Sequence, residues 1–218
     1  MKYIATLIFC LVFVSLSYTQ TTISEGEASG TWEKSLSPYQ VTGNIHIPNG
    51  LTLFIEPGVK VEFQGHYQLK VEGSLRAEGK VSDTILFTAS DTSGFSSPDT
   101  SLGGWYGIRI YDNDPGNDST KLAFCRLEYG KAIGPGWFLN AGGALCVIDC
   151  DKVSVSHCLF TNNMSGGPDE FLPAGGAVHL AWSDVSFSHN TFRNNYSYAG
   201  GAIQFHESKP VFKHNLFI

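Results

Sequence analysis

Three short segments of this chain are near copies of one another, and that self-similarity restricts the fold more than any other feature. Gly142-Gly143-Ala144-Leu145, Gly175-Gly176-Ala177-Val178 and Gly200-Gly201-Ala202-Ile203 align without gaps. They start 33 and 25 residues apart (175 − 142, then 200 − 175). After each comes a second block: Val153-Ser154-Val155-Ser156-His157-Cys158-Leu159-Phe160, then Val185-Ser186-Phe187-Ser188-His189-Asn190-Thr191-Phe192, then Val211-Phe212-Lys213-His214-Asn215-Leu216-Phe217. The two complete copies run on into asparagine pairs, Asn162-Asn163 and Asn194-Asn195, and Leu122 to Leu127 is a degenerate earlier copy. A unit of about 25 residues matches one turn of a β-solenoid with three short strands. The eight extra residues of the longer unit (33 − 25) fit an insertion at Ser165 to Pro173. Leucine-rich repeats have a similar period, but their regular leucine spacing is missing. An immunoglobulin-like sandwich would show strands without this register.

Inside each unit the hydrophobic period is two, as a strand requires. Val153 and Val155 alternate with Ser154 and Ser156, and Val185 and Phe187 alternate with Ser186 and Ser188. One corner position repeats as Cys125, Cys158, Asn190 and Asn215. Stacked turns would bring these within about 4.8 Å of each other, close enough for a side-chain ladder. The Gly-Gly pairs call for positive φ or for packing that a Cβ would block. The N-terminal half alternates more loosely through Val41, Ile45, Ile47, Leu51, Leu53, Ile55, Val59, Val61, Phe63, Leu69 and Val71. Turn residues interrupt it at Pro48-Asn49-Gly50, Pro57-Gly58 and Gly65. The expected architecture is therefore an all-β, right-handed parallel β-helix over residues 41–218. Residues 20–40, including Trp32, are expected to cap its first turn.

The first residues read as a secretory signal. Lys2 precedes the apolar run Ile4 to Val14, and small and polar residues follow from Ser15 to Thr22. Residues 1–19 are then removed and the chain is exported, to the extracellular space or the outer cell surface. The apolar run falls short of the roughly 20 residues that span a bilayer, so no transmembrane segment is expected in the mature chain. The net charge of −6 and a charged fraction of 16% exclude the basic stripe that nucleic acid requires. Four cysteines stay in the mature chain, Cys125, Cys146, Cys150 and Cys158, without a Cys-x-x-Cys pair to suggest zinc.

Two sets of residues carry a family likeness. Ile55-Glu56-Pro57-Gly58-Val59 followed by Val71-Glu72-Gly73-Ser74-Leu75 resembles the first coils of exported bacterial β-helix proteins of the pectin-lyase-like superfamily. The Gly-Gly-Ala repeat with Phe160 to Asn163 and Phe192 to Asn195 is similar to polymorphic outer-membrane protein repeats. The likeness covers residues 30 to 218. It implies the β-helix fold and leaves activity open, because that scaffold carries lyases, hydrolases, adhesins and proteins without known chemistry. Since the sequence stops at Phe217-Ile218 within a repeat, further coils and a C-terminal cap are expected beyond it.

Each chemical candidate has a structural alternative. Asp149, Asp151, Asp184 and Glu207 recur at one turn edge and would suit Ca²⁺ if they converged, though solvated turns are acidic anyway. His157, His189 and His214 form a column that duplication alone would produce. Trp105, Tyr106, Trp137, Trp182, Tyr196 and Tyr198 are expected at turns or outward positions, where aromatic faces stack on sugar rings. Cys125 and Cys158 share a column, so a disulfide and stacked free thiols both fit. Asn117, Asn163 and Asn195 begin Asn-x-Ser sequons. The catalytic residues are unknown: no acid–base constellation emerges, which favours a displayed scaffold binding glycan or another surface partner over a polysaccharide lyase or glycosidase. The enzyme reading expects a groove flanked by the segments Asp91 to Leu102 and Ser165 to Pro173.

Overall fold

The structure is a computed structural model that describes residues 20–111, 113–134, 140–166 and 174–218. The expected signal peptide, Trp137 and most of the Ser165–Pro173 insertion lie outside the described residues. The described chain is all-β apart from one short 3₁₀ turn at Lys34–Leu36.

Its strands visit three parallel sheets in cyclic order. The first sheet stacks Thr21–Ile23, Tyr39–Val41, Lys60–Phe63, Ile85–Ala89, Cys125–Glu128, Leu159–Thr161, Thr191–Arg193 and Leu216–Phe217. The second runs from Gly26–Glu27 through Ile45–Ile47, Leu69–Val71, Ile108–Ile110, Leu145–Ile148 and Val178–Ala181 to Ile203–His206. The third begins at Gly30–Trp32 and continues with Thr52–Ile55, Ser74–Glu78, Thr120–Ala123, Val153–Ser156, Ser186–Ser188 and Val211–Lys213. Every strand therefore pairs with its equivalent one circuit away, a topology compatible with a parallel β-helix. Residues 20–40, expected as a cap, carry strands that pair in parallel with the next circuit (Thr21 with Tyr39, Gly26 with Ile45, Gly30 with Leu53).

Register explains the period of two. Val61, Phe87, Leu127, Phe160, Phe192 and Phe217 occupy one inward column of the first sheet. Phe160, Phe192 and Phe217 stack ring on ring at 4.9 Å. Each fully buried ring contributes about 1.5–3 kcal/mol. Trp105 was expected to face outward, but it belongs to this core. It is fully buried, stacks on Phe63 at 4.4 Å, and donates its indole N–H to the Glu128 carbonyl at 2.8 Å. It cannot contact a glycan.

The corners follow one rule. Among the described residues, ten non-glycine residues have positive φ, and all ten fall into three columns. Phe124, His157, His189 and His214 turn the chain from the third sheet into the first. Tyr129, Asn162 and Asn194 take it out of the first, and Asp149, Trp182 and Glu207 take it from the second into the third. A left-handed residue reorients the next peptide, so the following N–H loses its strand partner and needs another acceptor. The side chain of the equivalent residue one circuit later supplies it. Cys158 N–H donates to Asn190 Oδ1 at 2.8 Å, and Asn190 N–H to Asn215 Oδ1 at 2.9 Å. At the second corner Gly130 and Asn163 donate to Asn163 and Asn195 in the same way; at the third, Cys150 and Ser183 donate to Ser183 and Ser208. The asparagine amides also donate back to strand carbonyls, Asn190 to Val155 and Asn163 to Leu127, both at 3.0 Å.

Glycine packing locks adjacent circuits together. A Cβ on Gly176 would stand 2.1 Å from the Gly201 carbonyl oxygen and 2.5 Å from that of Tyr196. Gly176→Ala is therefore expected to cost about 3 kcal/mol or more. Gly50→Ala meets nothing within 4 Å and suffers only its φ of +77°, so it should cost about 1–2 kcal/mol. Urea denaturation of the two variants checks the contrast, and equal losses would contradict close packing at Gly176.

Candidate functional site

The edge between the first and second sheets is the irregular one. The connection there is short in early circuits, Gln64 to Gln68 for instance, but runs from Ser90 to Gly107 in the fourth circuit. Both later circuits with a fourth strand, Lys131–Ile133 and Met164–Gly166, carry it on this edge as well. The two insertions expected to flank a groove share the edge: a Cβ on Gly166 would lie 2.6 Å from the Pro98 carbonyl.

Against the Asp91–Leu102 segment lies a groove of about 470 Å³ lined by Phe95, Ser96, Pro98, Tyr129, Asn162, Asn163, Met164, Asn194 and Tyr196. The corner rule builds its floor, because the left-handed Tyr129, Asn162 and Asn194 stack there. The Asp91–Leu102 segment builds its wall. Phe95 meets the Tyr129 ring edge-on at 5.3 Å. Lys131 then ties the wall down, its buried ammonium donating to the carbonyls of Gly94 at 3.1 Å and Leu102 at 2.7 Å. Burial lowers the Lys131 pKa from 10.5 to about 8.

The aromatic candidates separate into different places. Tyr196 and Tyr198 are exposed and pack edge to face at 6.1 Å, and Tyr196 lines the groove. Tyr106 lies on the same edge but is half-buried, tilted against His66 at 4.9 Å and covered by the Arg109 guanidinium at 4.4 Å. Trp182 is exposed at the opposite corner, where His206 meets it edge-on. It shares no surface with the tyrosines.

The four acids do not converge. Asp149 and Glu207 stand in one corner column with Trp182 between them. Asp151 accepts the Asp184 backbone N–H at 2.7 Å, and Asp184 accepts that of Lys209 at 2.6 Å. Their carboxylates are backbone acceptors, and among the described residues no group of three His, Cys, Asp or Glu is arranged to hold a metal ion. The three histidines stack as a ladder on Phe124, with His157 and His189 parallel at 4.8 Å. Cys125 and Cys158 are buried free thiols, the Cys125 N–H donating to Cys158 Sγ at 3.4 Å. The sequon asparagines spend their amides inside the fold, Asn117 on Gly50, Asn49 and Glu72, and Asn163 and Asn195 in the second ladder.

Sequence reading missed the groove floor. The Asn162-Asn163 and Asn194-Asn195 pairs carried the signal: one residue to turn, the next to bridge. No family model matches the chain, and neither the curated proteins nor the solved structures contain a significant match.

The low pKa of Lys131 gives a signed expectation. In the unfolded chain this lysine titrates near about 10.4, so the native state binds fewer protons between about pH 8 and 10. Its burial penalty is complete below pH 8 and fades as the pH rises. Wild-type stability relative to Lys131→Met is expected to increase from pH 7 to 10 in parallel urea titrations. A difference that stays constant across that range contradicts a buried ammonium.

Proposed function

We propose that this chain is an exported, surface-displayed right-handed parallel β-helix of the pectin-lyase-like type, and that it binds glycan without transforming it. The observation that supports binding is the chemistry of the groove on the insertion edge. Phe95, Tyr129 and Tyr196 present aromatic surface to it, and Asn162, Asn194 and Ser96 present amides and a hydroxyl. Sugar rings need both kinds of partner, an apolar plane under their C–H face and neutral polar groups around their hydroxyls. Among the described residues lining the groove there is no carboxylate, lysine, arginine or histidine, so a neutral glycan suits it better than an acidic one. A rigid floor also helps, because binding then orders few side chains.

The second reading, a polysaccharide lyase or glycosidase, draws on the two insertions sharing one edge. It needs a titratable pair at the groove, and the described lining offers none.

Glycan-array screening followed by calorimetry tests the proposal. Tyr196→Ala and Phe95→Ala are each expected to weaken the best ligand about tenfold, or about 1.4 kcal/mol, while melting like the parent. Binding that neither substitution weakens, or no binding to any glycan, would sink it. New reducing ends or unsaturated uronates released from the ligand would replace it with the enzyme reading.

A further inference from the structure

Six buried side-chain nitrogen and oxygen atoms have no hydrogen-bond partner among the described residues, and five of them share one side of the molecule. They are Arg109 Nη2, Asn140 Nδ2, His179 Nδ1, His179 Nε2 and Gln204 Oε1; the sixth, Thr161 Oγ1, belongs to the first sheet. Arg109, Cys146, His179 and Gln204 are consecutive members of one column on the second sheet. They point away from the core, since their strand neighbours Ile108, Ile110, Leu145, Val147, Val178 and Leu180 fill it. Outward residues on a sheet are normally solvated, yet Arg109 is 3% exposed, Cys146 1% and His179 0%.

Arg109 carries the argument. Its charge is permanent. Its Nε donates to the Tyr106 carbonyl at 2.7 Å, and its Nη1 crosses one circuit to the Ala141 carbonyl at 2.5 Å. That leaves Nη2 without a partner and the guanidinium against the Cys146 thiol, while Asn140, the residue before Ala141, has its Oδ1 engaged by the Gly134 N–H and its Nδ2 unused. No carboxylate meets the guanidinium among the described residues. His179 follows two strands on. Burial holds its pKa down at about 4, so it is neutral and keeps one N–H to give. Gln204 lies one strand beyond it, near enough to act on the ring as a weak hydrogen-bonding neighbour though neither side chain makes a bond of good geometry. A buried charge without a counter-charge is costly to fold, and each unmade buried hydrogen bond adds to that cost. A native protein explains such a cluster with a ligand or with water.

We infer that the outer face of the second sheet holds a small oxyanion, of carboxylate, sulfate or phosphate size, between Arg109, Asn140 and His179. Charge selects an anion, since the set has one fixed cation and no acid. Donor count selects an oxyanion, which takes N–H bonds from several directions. Depth selects small size, because His179 has no exposed surface and a polymer cannot reach it. The site is separate from the groove and stands or falls independently of the glycan reading.

The test is thermal melting of the full chain in chloride buffer, titrated at constant ionic strength with inorganic phosphate, sulfate and acetate in separate arms. One of the three is expected to raise Tm saturably, by about 3–6 °C at ten times its Kd, and to move the ¹⁵N resonances of the His179 ring. Arg109→Met should abolish both responses. If that variant does not fold, Asn140→Ala, which removes a single donor, should weaken binding at least fivefold. An unchanged response in the variants, or no saturable rise in any arm, overturns the inference and leaves water as the partner of these atoms.

Discussion

Everything in this fold depends on one geometric constraint: each residue stacks on its own equivalent one circuit away, at the spacing of a parallel sheet. Backbone hydrogen bonds enforce that constraint along the strands, and side chains must enforce it wherever the chain turns. The three corner columns show how. A left-handed residue bends the chain, an N–H is lost to the ladder, and an Asn or Ser from the next circuit recovers it. Cysteine fills the same role more weakly at Cys158, whose sulfur replaces the amide as acceptor of the Cys125 N–H. Because both ends of each bond are equivalent positions, one residue type suffices to propagate it.

The same constraint decides what could be read from the sequence. The Gly-Gly-Ala segments, the Val-Ser alternation and the Cys/Asn column are legible because register repeats them at similar spacing. The second-sheet and third-sheet pairings follow from those anchors (Val178 with Ile203, Phe187 with Phe212). Trp105 was not legible. It lies just after the Asp91–Leu102 segment in a 40-residue circuit (Phe87 to Leu127), where no repeated neighbour fixes its face. The acids at Asp151 and Asp184 were visible as a column, but their role was hidden. A carboxylate that accepts the next circuit's N–H and one that binds a cation look alike in sequence. The burial of Arg109 and His179 was hidden for a related reason, since alternation marks them as outward and an outward residue is normally wet.

Insertions accumulate on one edge for an energetic reason. The other two corners also carry extra residues, 79–84 and 111–119, but only in circuits that precede their ladders, whose acceptors sit one residue past the turn. At the first-to-second edge the chain can leave after its own ladder residue, wander, and return at the Gly-Gly pair without disturbing either sheet. Register at Leu145 and Val178 is kept whatever lies between. A ladder of asparagines then becomes a rigid floor, and a loop pinned by Trp105 at its base and Lys131 at its mouth becomes a wall. The groove is a by-product of where the repeat tolerates irregularity.

The corner ladders also have a direction. In all three columns the N–H belongs to the earlier circuit and the accepting side chain to the later one, from Cys158 to Asn190, Gly130 to Asn163, and Cys150 to Ser183. At those positions a circuit's open N–H is closed by the segment that follows it in the chain. At the third corner the acids run the other way, Asp184 N–H to Asp151 and Lys209 N–H to Asp184, so that each circuit there is tied from both sides. A break at one such position leaves the opposite bond in place.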